Sequence, residues 1–136
     1  ELGADTCVDA SREDVRVVVE GITAGRGADY AVEAVGSQET LAGTVAVTAP
    51  GGVISVVGVF QRPAASNGPK MLAKNLVLCM GMGDLGHMAY MIGLIEAGRL
   101  DLRPMITHRM GLDEAPRAYG LFEQRADGAV KILLTP

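Results

Sequence analysis

The sequence predicts an α/β fold, a parallel sheet whose strands are joined by crossover helices. Three observations predict it. Short β-branched runs alternate with amphipathic segments along the chain. Glycine or proline punctuates the junctions, as at Gly25-Arg26-Gly27, Gly36-Ser37 and Pro50-Gly51-Gly52. The 136 residues, 49% hydrophobic and 21% charged, suffice for one compact core and leave no room for two independent domains.

The elements follow in order. Glu1-Leu2-Gly3-Ala4-Asp5 reads as a last helical turn with Gly3 as the left-handed residue beyond it, so the chain reads as a piece of a longer polypeptide or a processed product. Thr6 to Asp9 is a short strand. Ser11 with Asp14 three residues on resembles a capping box, and Val15, Val18, Val19 and Ile22 then form one apolar stripe at helical spacing. Gly25 and Gly27 end that helix, and Asp29 to Val35 is apolar enough for a strand covered on both faces. Gly36-Ser37 opens a crossover, Gln38 to Ala49 is a helix with Leu41 and Val45 inward, Pro50-Gly51-Gly52 turns, and Val53 to Val59 is a second strand. Gln61 to Pro69 is a surface loop and Asn75 to Met80 a third strand. Asp84 caps a helix whose Met88, Met91, Ile92 and Ile95 face the core before Gly98 stops it. Met105 to Met110 is a short strand, and Asp113 caps a helix burying Ala115, Ala118, Tyr119 and Phe122. In a final strand Val130, Ile132 and Leu134 alternate with Lys131 and Leu133.

Composition narrows function. Twelve Lys and Arg against sixteen Asp and Glu leave a net charge of -4, the wrong sign for a phosphate-coating surface, and aromatics are too few to stack bases. Nucleic acid is excluded as the main partner. The longest apolar stretch, Val53 to Phe60, is broken by Ser55 and Gly58 and is too short to span a bilayer, and no basic-then-apolar leader opens the chain. A membrane partner is therefore excluded and a cytoplasmic location expected. Cys7 and Cys79 lie too far apart for a CxxC pair or a zinc knuckle, and each is expected to be a small buried hydrophobe in a reducing compartment.

The candidate chemistry centres on turns. Gly81-Met82-Gly83-Asp84-Leu85-Gly86 imitates a dinucleotide fingerprint, with Asp101 further on. Asp84, however, puts a carboxylate where a pyrophosphate would sit, and Asp101 precedes the next strand instead of ending it, so the motif reads as a tight strand-to-helix turn. More informative are Val35-Gly36-Ser37, Val57-Gly58-Val59 and Gly81-Met82-Gly83, which fall at the C-terminal ends of predicted parallel strands, where open α/β sheets hold ligands. Glycine beside small or flexible apolar residues lets a flat ring approach the backbone and leaves N–H and C=O groups for an amide; the plainer reading is that these glycines only make turns. Glu33 sits inside an apolar strand, an expensive place for a carboxylate, as a polar anchor near a ligand or as a paired or edge-facing side chain. Lys131 offers a positive charge to a phosphate or is simply solvated. His87 and His108 have no Cys, Asp or Glu at ligand spacing, so no metal role is expected of them.

Taken together, these residues resemble the C-terminal portion of zinc-type medium-chain alcohol dehydrogenases over essentially the whole chain. The landmarks are Glu1 to Asp5, Gly27-Ala28-Asp29-Tyr30-Ala31-Val32-Glu33-Ala34-Val35-Gly36, and Pro50-Gly51-Gly52-Val53 to Val57-Gly58-Val59. Further along come Ile95-Glu96-Ala97-Gly98-Arg99-Leu100-Asp101, Ile106-Thr107-His108-Arg109, Leu112-Asp113-Glu114-Ala115 and Lys131 to Pro136. The resemblance implies a partial Rossmann-like parallel sheet lacking its first two strands, plus a short C-terminal return segment. It divides the chain into residues 1–104, part of a dinucleotide-binding domain, and residues 105–136, belonging to the catalytic domain of the parent enzyme.

The same resemblance implies hydride transfer between an alcohol or polyol and NAD or NADP, with a catalytic zinc in the parent enzyme polarising the substrate oxygen. Val35 and Gly36 would line the nicotinamide ribose, Val57, Gly58 and Val59 would bind or flank the carboxamide, Gly81 and Met82 would approach the ring, and Lys131 would lie near the pyrophosphate. The family's glycine fingerprint, coenzyme-selecting acid and zinc ligands would all precede Glu1, so the isolated chain is expected to be inactive. In the strand order 3-2-1-4-5-6 the missing strands 1 and 2 fall between Thr6–Asp9 and Asp29–Val35, leaving a central gap. The edge of Asp29–Val35 is then expected to be covered by re-pairing, a second copy or further protein. Homodimerisation is expected through the opposite edge, Asn75 to Met80. Two alternatives remain: a zinc-free quinone or enoyl reductase of the same superfamily, and a non-catalytic binding or assembly module.

Overall fold

In the computed structural model the described residues are 3–83 and 85–136, so the expected cap at Asp84 and the turn at Glu1-Leu2 lie outside them. They fall into two compact units, residues 3–83 and residues 85–136, in place of the single core expected from length.

The first unit is a three-stranded parallel sheet in the order β1 (Ala28–Glu33), β2 (Thr48–Val56), β3 (Val77–Met80). Helix α1 (Val15–Ile22) precedes it, and helix α2 (Gln38–Val47) is the crossover between β1 and β2. Asp14 caps α1 by accepting from the Arg16 amide at 2.8 Å, whereas Ser11 bonds Asp9 instead of closing the expected capping box. Of the α1 stripe, Val15, Val18 and Val19 are half-buried and Ile22 is exposed. Ser37 caps α2 by accepting from the Thr40 amide. The core is Leu41 and Val45 of α2 against Ile54 and Val56 of β2, with Phe60, Met71, Leu76 and Leu78 around it. Burying each such aliphatic side chain contributes about 1.5–3 kcal/mol.

Several expectations are corrected. Thr6 to Asp9 is not a strand; β1 is the sheet's edge, the sheet has no central gap, and no described strand re-pairs with the free side of β1. The strand is covered on one face only: Glu33 is buried, while Tyr30 and Val32 on the other face are 80% and 65% exposed. Pro50-Gly51-Gly52 does not separate helix from strand but lies inside β2. From Ala28↔Thr48 to Tyr30↔Val53 the partner strand advances five residues against two, so these residues bulge out of the ladder. Strand β2 ends at Val56, not Val59. Helix α3 (Gly68–Ala73), capped by Asn67, occupies the end of the expected loop and the residues after it. Cys7 and Cys79 are both exposed.

The second unit holds helix α4 (Met88–Glu96), strand β4 (His108–Gly111), helix α5 (Ala115–Glu123) and strand β5 (Ile132–Thr135), with β4 and β5 parallel and 3-10 turns at Leu85–His87, Arg103–Met105 and Leu112–Glu114. Gly98, in the left-handed region, follows α4 as expected. Helix α4 nevertheless buries nothing: Met88, Met91, Ile92 and Ile95 are all exposed. In α5 only Ala118 is buried; Tyr119 and Phe122 are exposed, and Ala115 is half-buried. The Glu114 carboxylate, not that of Asp113, accepts from the Gly111 amide. Met105 lies in a 3-10 turn, and Val130 and Lys131 precede the last strand. No helix among the described residues is long and apolar enough to cross a membrane.

Candidate functional site

The parallel ladders align the C-terminal ends of β1, β2 and β3: Glu33 pairs with Val56 and Val56 with Met80. The three turns singled out in the sequence therefore emerge from adjacent strand ends. Glu33 organises two of them. Its main-chain carbonyl accepts from the amides of Val57 (2.8 Å) and Gly58 (3.0 Å). One carboxylate oxygen, Oε1, accepts from the amides of Val35 (2.9 Å) and Gly36 (2.8 Å) and from the Thr40 hydroxyl (2.6 Å). The other, Oε2, is buried and has no hydrogen-bond partner. The Thr40 hydroxyl, aided by the backbone amides, holds the Glu33 carboxyl below its ordinary range although burial pushes the other way. A charged carboxylate thus sits beside the first turn of α2, held by the Thr40 hydroxyl and by two amides that precede the helix.

Glycine is required at two positions here. Gly36 has a φ of +84°, and a Cβ on it would overlap the Val59 carbonyl and lie 2.8 Å from the Val59 nitrogen. Gly58 has no unusual φ, but a Cβ there would overlap the Gly36 nitrogen and Glu33 Oε2. The turns pack backbone against backbone. What faces outward is apolar: Val35, Val57 and Val59 are each more than half exposed, and Met82 is 94% exposed. Among the described residues no backbone hydrogen bond occupies the Val57 carbonyl or the Val59 amide. The strand ends thus carry exposed apolar side chains beside a carbonyl and an amide outside the backbone hydrogen bonds, features that suit a planar ring carrying an amide. At Gly81 a Cβ would meet open space, so that glycine is not demanded sterically.

Comparison with known proteins gives the family. Residues 2–128 match the family described as zinc-binding dehydrogenase. The chain belongs to the zinc-binding dehydrogenase family. It is 35% identical to an alcohol dehydrogenase of Cupriavidus necator, covering 100% of this chain and 38% of that protein. Among solved structures it resembles the alcohol dehydrogenase TADH from Thermus sp. ATN1 (TM-score 0.88, 31% identity, 98% of this chain and 39% of that one). A structure from Sinorhizobium meliloti 1021 bound to NADP is also similar (TM-score 0.80, 26% identity, 98% and 40%). The chain thus spans about 38% of the length of such relatives, consistent with a C-terminal part of a zinc-type enzyme.

The remaining candidates in this dehydrogenase segment are each held by local contacts. The Gly81 to Gly86 motif leads into a 3-10 turn, and α4 starts only at Met88. Asp101 is bound by the Arg103 guanidinium through both oxygens, at 2.8 Å each, which holds its carboxyl down to about 2; it follows no strand. Lys131 belongs to the second unit, where its carbonyl accepts from the Thr107 and His108 amides and it borders a cleft of about 280 Å³ with Tyr119 and Phe122. His108 bonds Thr107 and Asp127. Among the described residues no three His, Cys, Asp or Glu side chains converge as a metal site, so those residues do not fit a zinc ion.

Two supports carry no clear announcement in the sequence, Thr40 beside the turn after β1 and Lys74 at the far end of α2, where it serves the fold and not the site. Thr40 carries only a cap-like spacing from Ser37. Lys74 donates to the carbonyls of Val45 (3.2 Å), Ala46 (2.8 Å) and Thr48 (2.6 Å), clamping the carboxyl end of α2 from far along the chain, and burial lowers its pKa. No local pattern announces it.

Proposed function

We propose that this chain is the nicotinamide-facing part of an enzyme that moves a hydride between an alcohol or polyol and NAD or NADP. The reading rests on one observation: the packed floor of Glu33, Gly36, Gly58 and Val59 at the C-terminal ends of parallel strands, rimmed by exposed valines. When bound, the coenzyme supplies a nicotinamide ring that accepts or donates the hydride. Val35 and Gly36 border its ribose, the Val57 carbonyl and Val59 amide orient the carboxamide, Gly58 flanks it while letting its turn close on Gly36 and Glu33, and Gly81 with Met82 approaches the ring. Lys131 enters on the family resemblance alone, as the position where such enzymes often carry a basic residue near the pyrophosphate.

Residues 1–104 then belong to the coenzyme domain and residues 105–136 to the catalytic domain of a cytoplasmic enzyme. Zinc, which polarises the substrate oxygen in the whole enzyme, would be held by residues outside this chain. The chain alone is inactive. Further protein covers the free side of β1, where an open groove of about 820 Å³ lies between α1, β1 and α2, and two copies join through β3.

The test is a titration with NADH and with NADPH, followed by nicotinamide fluorescence, on the intact dehydrogenase and on the isolated chain, together with alcohol-dependent coenzyme reduction. The intact protein should bind and turn over, the chain alone do neither. Tight stoichiometric binding by the chain alone, or an intact protein indifferent to both coenzymes, overturns the reading.

A further inference from the structure

We infer that Glu33 is the positioning residue of the coenzyme-facing floor, welding the turn after β1 and the turn after β2 into one preformed surface, so that its loss is felt in coenzyme binding beyond its effect on folding. This rests on the coenzyme reading above. Among the described residues, the hydrogen bonds that tie Val35-Gly36 to Val57-Gly58 all run through this one residue, its carboxylate holding the first turn and its carbonyl the second. The groups offered to the ring are main-chain atoms, and main-chain atoms are only as well placed as whatever holds the backbone.

The second oxygen argues in the same direction. Oε2 is buried without a donor, wedged against Gly58. A buried acceptor left unpaired costs stability, so a carboxylate kept for stability alone would have both oxygens satisfied. Such a cost is tolerated where a site needs a fixed geometry.

The experiment compares four forms of the intact dehydrogenase: wild type, Glu33→Ala, Glu33→Gln and Lys74→Met, each titrated with NADH and NADPH by nicotinamide fluorescence and each melted. Glu33→Ala should weaken coenzyme binding by roughly tenfold or more. Glu33→Gln, which retains an acceptor oxygen for Val35 and Gly36, should restore most of that loss. Lys74→Met, at the other end of α2, should lower Tm and leave coenzyme affinity unchanged. Should Glu33→Ala fail to fold, Thr40→Val removes one donor to Oε1 and should show a smaller loss in the same direction. Wild-type affinity in a folded Glu33→Ala or Thr40→Val, or equal affinity losses in Glu33→Ala and Lys74→Met at matched Tm, overturns the inference alone. A wild type that takes up neither coenzyme overturns the coenzyme reading, and the inference with it.

Discussion

Among the described residues, β1-α2-β2 and β4-α5-β5 are strand-helix-strand units of the same parallel design, and they bury very different amounts of themselves. In the first, Leu41 and Val45 of α2 are 3% and 1% exposed against Ile54 and Val56. The helix is held at both ends, by Ser37 and Glu33 at its start and by Lys74 at its finish. In the second, α5 buries only Ala118 and leaves Phe122 55% exposed. The difference teaches that helical spacing determines which residues share a face, while a third strand and long-range clamps determine whether that face becomes a core.

The sharpest way to break this comparison is a pair of truncations. Leu41→Ala should cost about 2–5 kcal/mol in denaturant unfolding of the chain. Phe122→Ala in the same chain should cost far less, about 1 kcal/mol or under, because more than half of its surface is already exposed. Similar midpoint shifts for both would abolish the distinction. Next in size, Gly36→Ala should destabilise by about 1–3 kcal/mol, from a left-handed backbone and contact with Val59, whereas Ala at Gly120 of α5, where a Cβ meets open space, should be neutral or stabilising. Lys74→Met should cost about 1–2 kcal/mol by leaving three carbonyls short of a donor. Its signature would be faster hydrogen exchange at the carboxyl end of α2.

Acid provides the gentlest probe. The Glu33 carboxyl is lowered in the folded state, so the folded chain binds fewer protons than the unfolded one just below the ordinary carboxylate value of 4.5, and stability contributed above that value is lost as pH falls through the lowered one. Asp101, held to about 2, loses its contribution between 3.8 and 2, yet it is a surface pair with Arg103 and should hardly move Tm. Replacing Glu33 with Gln should therefore remove more of the acid dependence than replacing Asp101 with Asn. The reverse order would place the more important carboxylate in the second unit.

Much of the fold was legible because its signals are local. The Leu41/Val45 spacing, the glycine at 36 and the β-branched run at 53–56 each need only their neighbours to be understood. Thr6 to Asp9 misled because an extended apolar stretch becomes a strand only with a partner, and none of the described strands pairs with it. Helix α3 was hidden behind two prolines and a glycine that mark loops as readily as helix starts. The odd carboxylate at 33 was visible as an anomaly; its partners were not.

By itself the sequence determined the alternation of strands and helices, the turns at the strand ends and the family to which they belong, since periodicity and turn chemistry are written over a few adjacent residues. Only the tertiary structure decided which faces are covered, that Glu33 joins two turns, and that Lys74 finishes a helix begun many residues earlier. Burial and hydrogen bonding are relations between distant segments, and they come into existence when the chain brings those segments together.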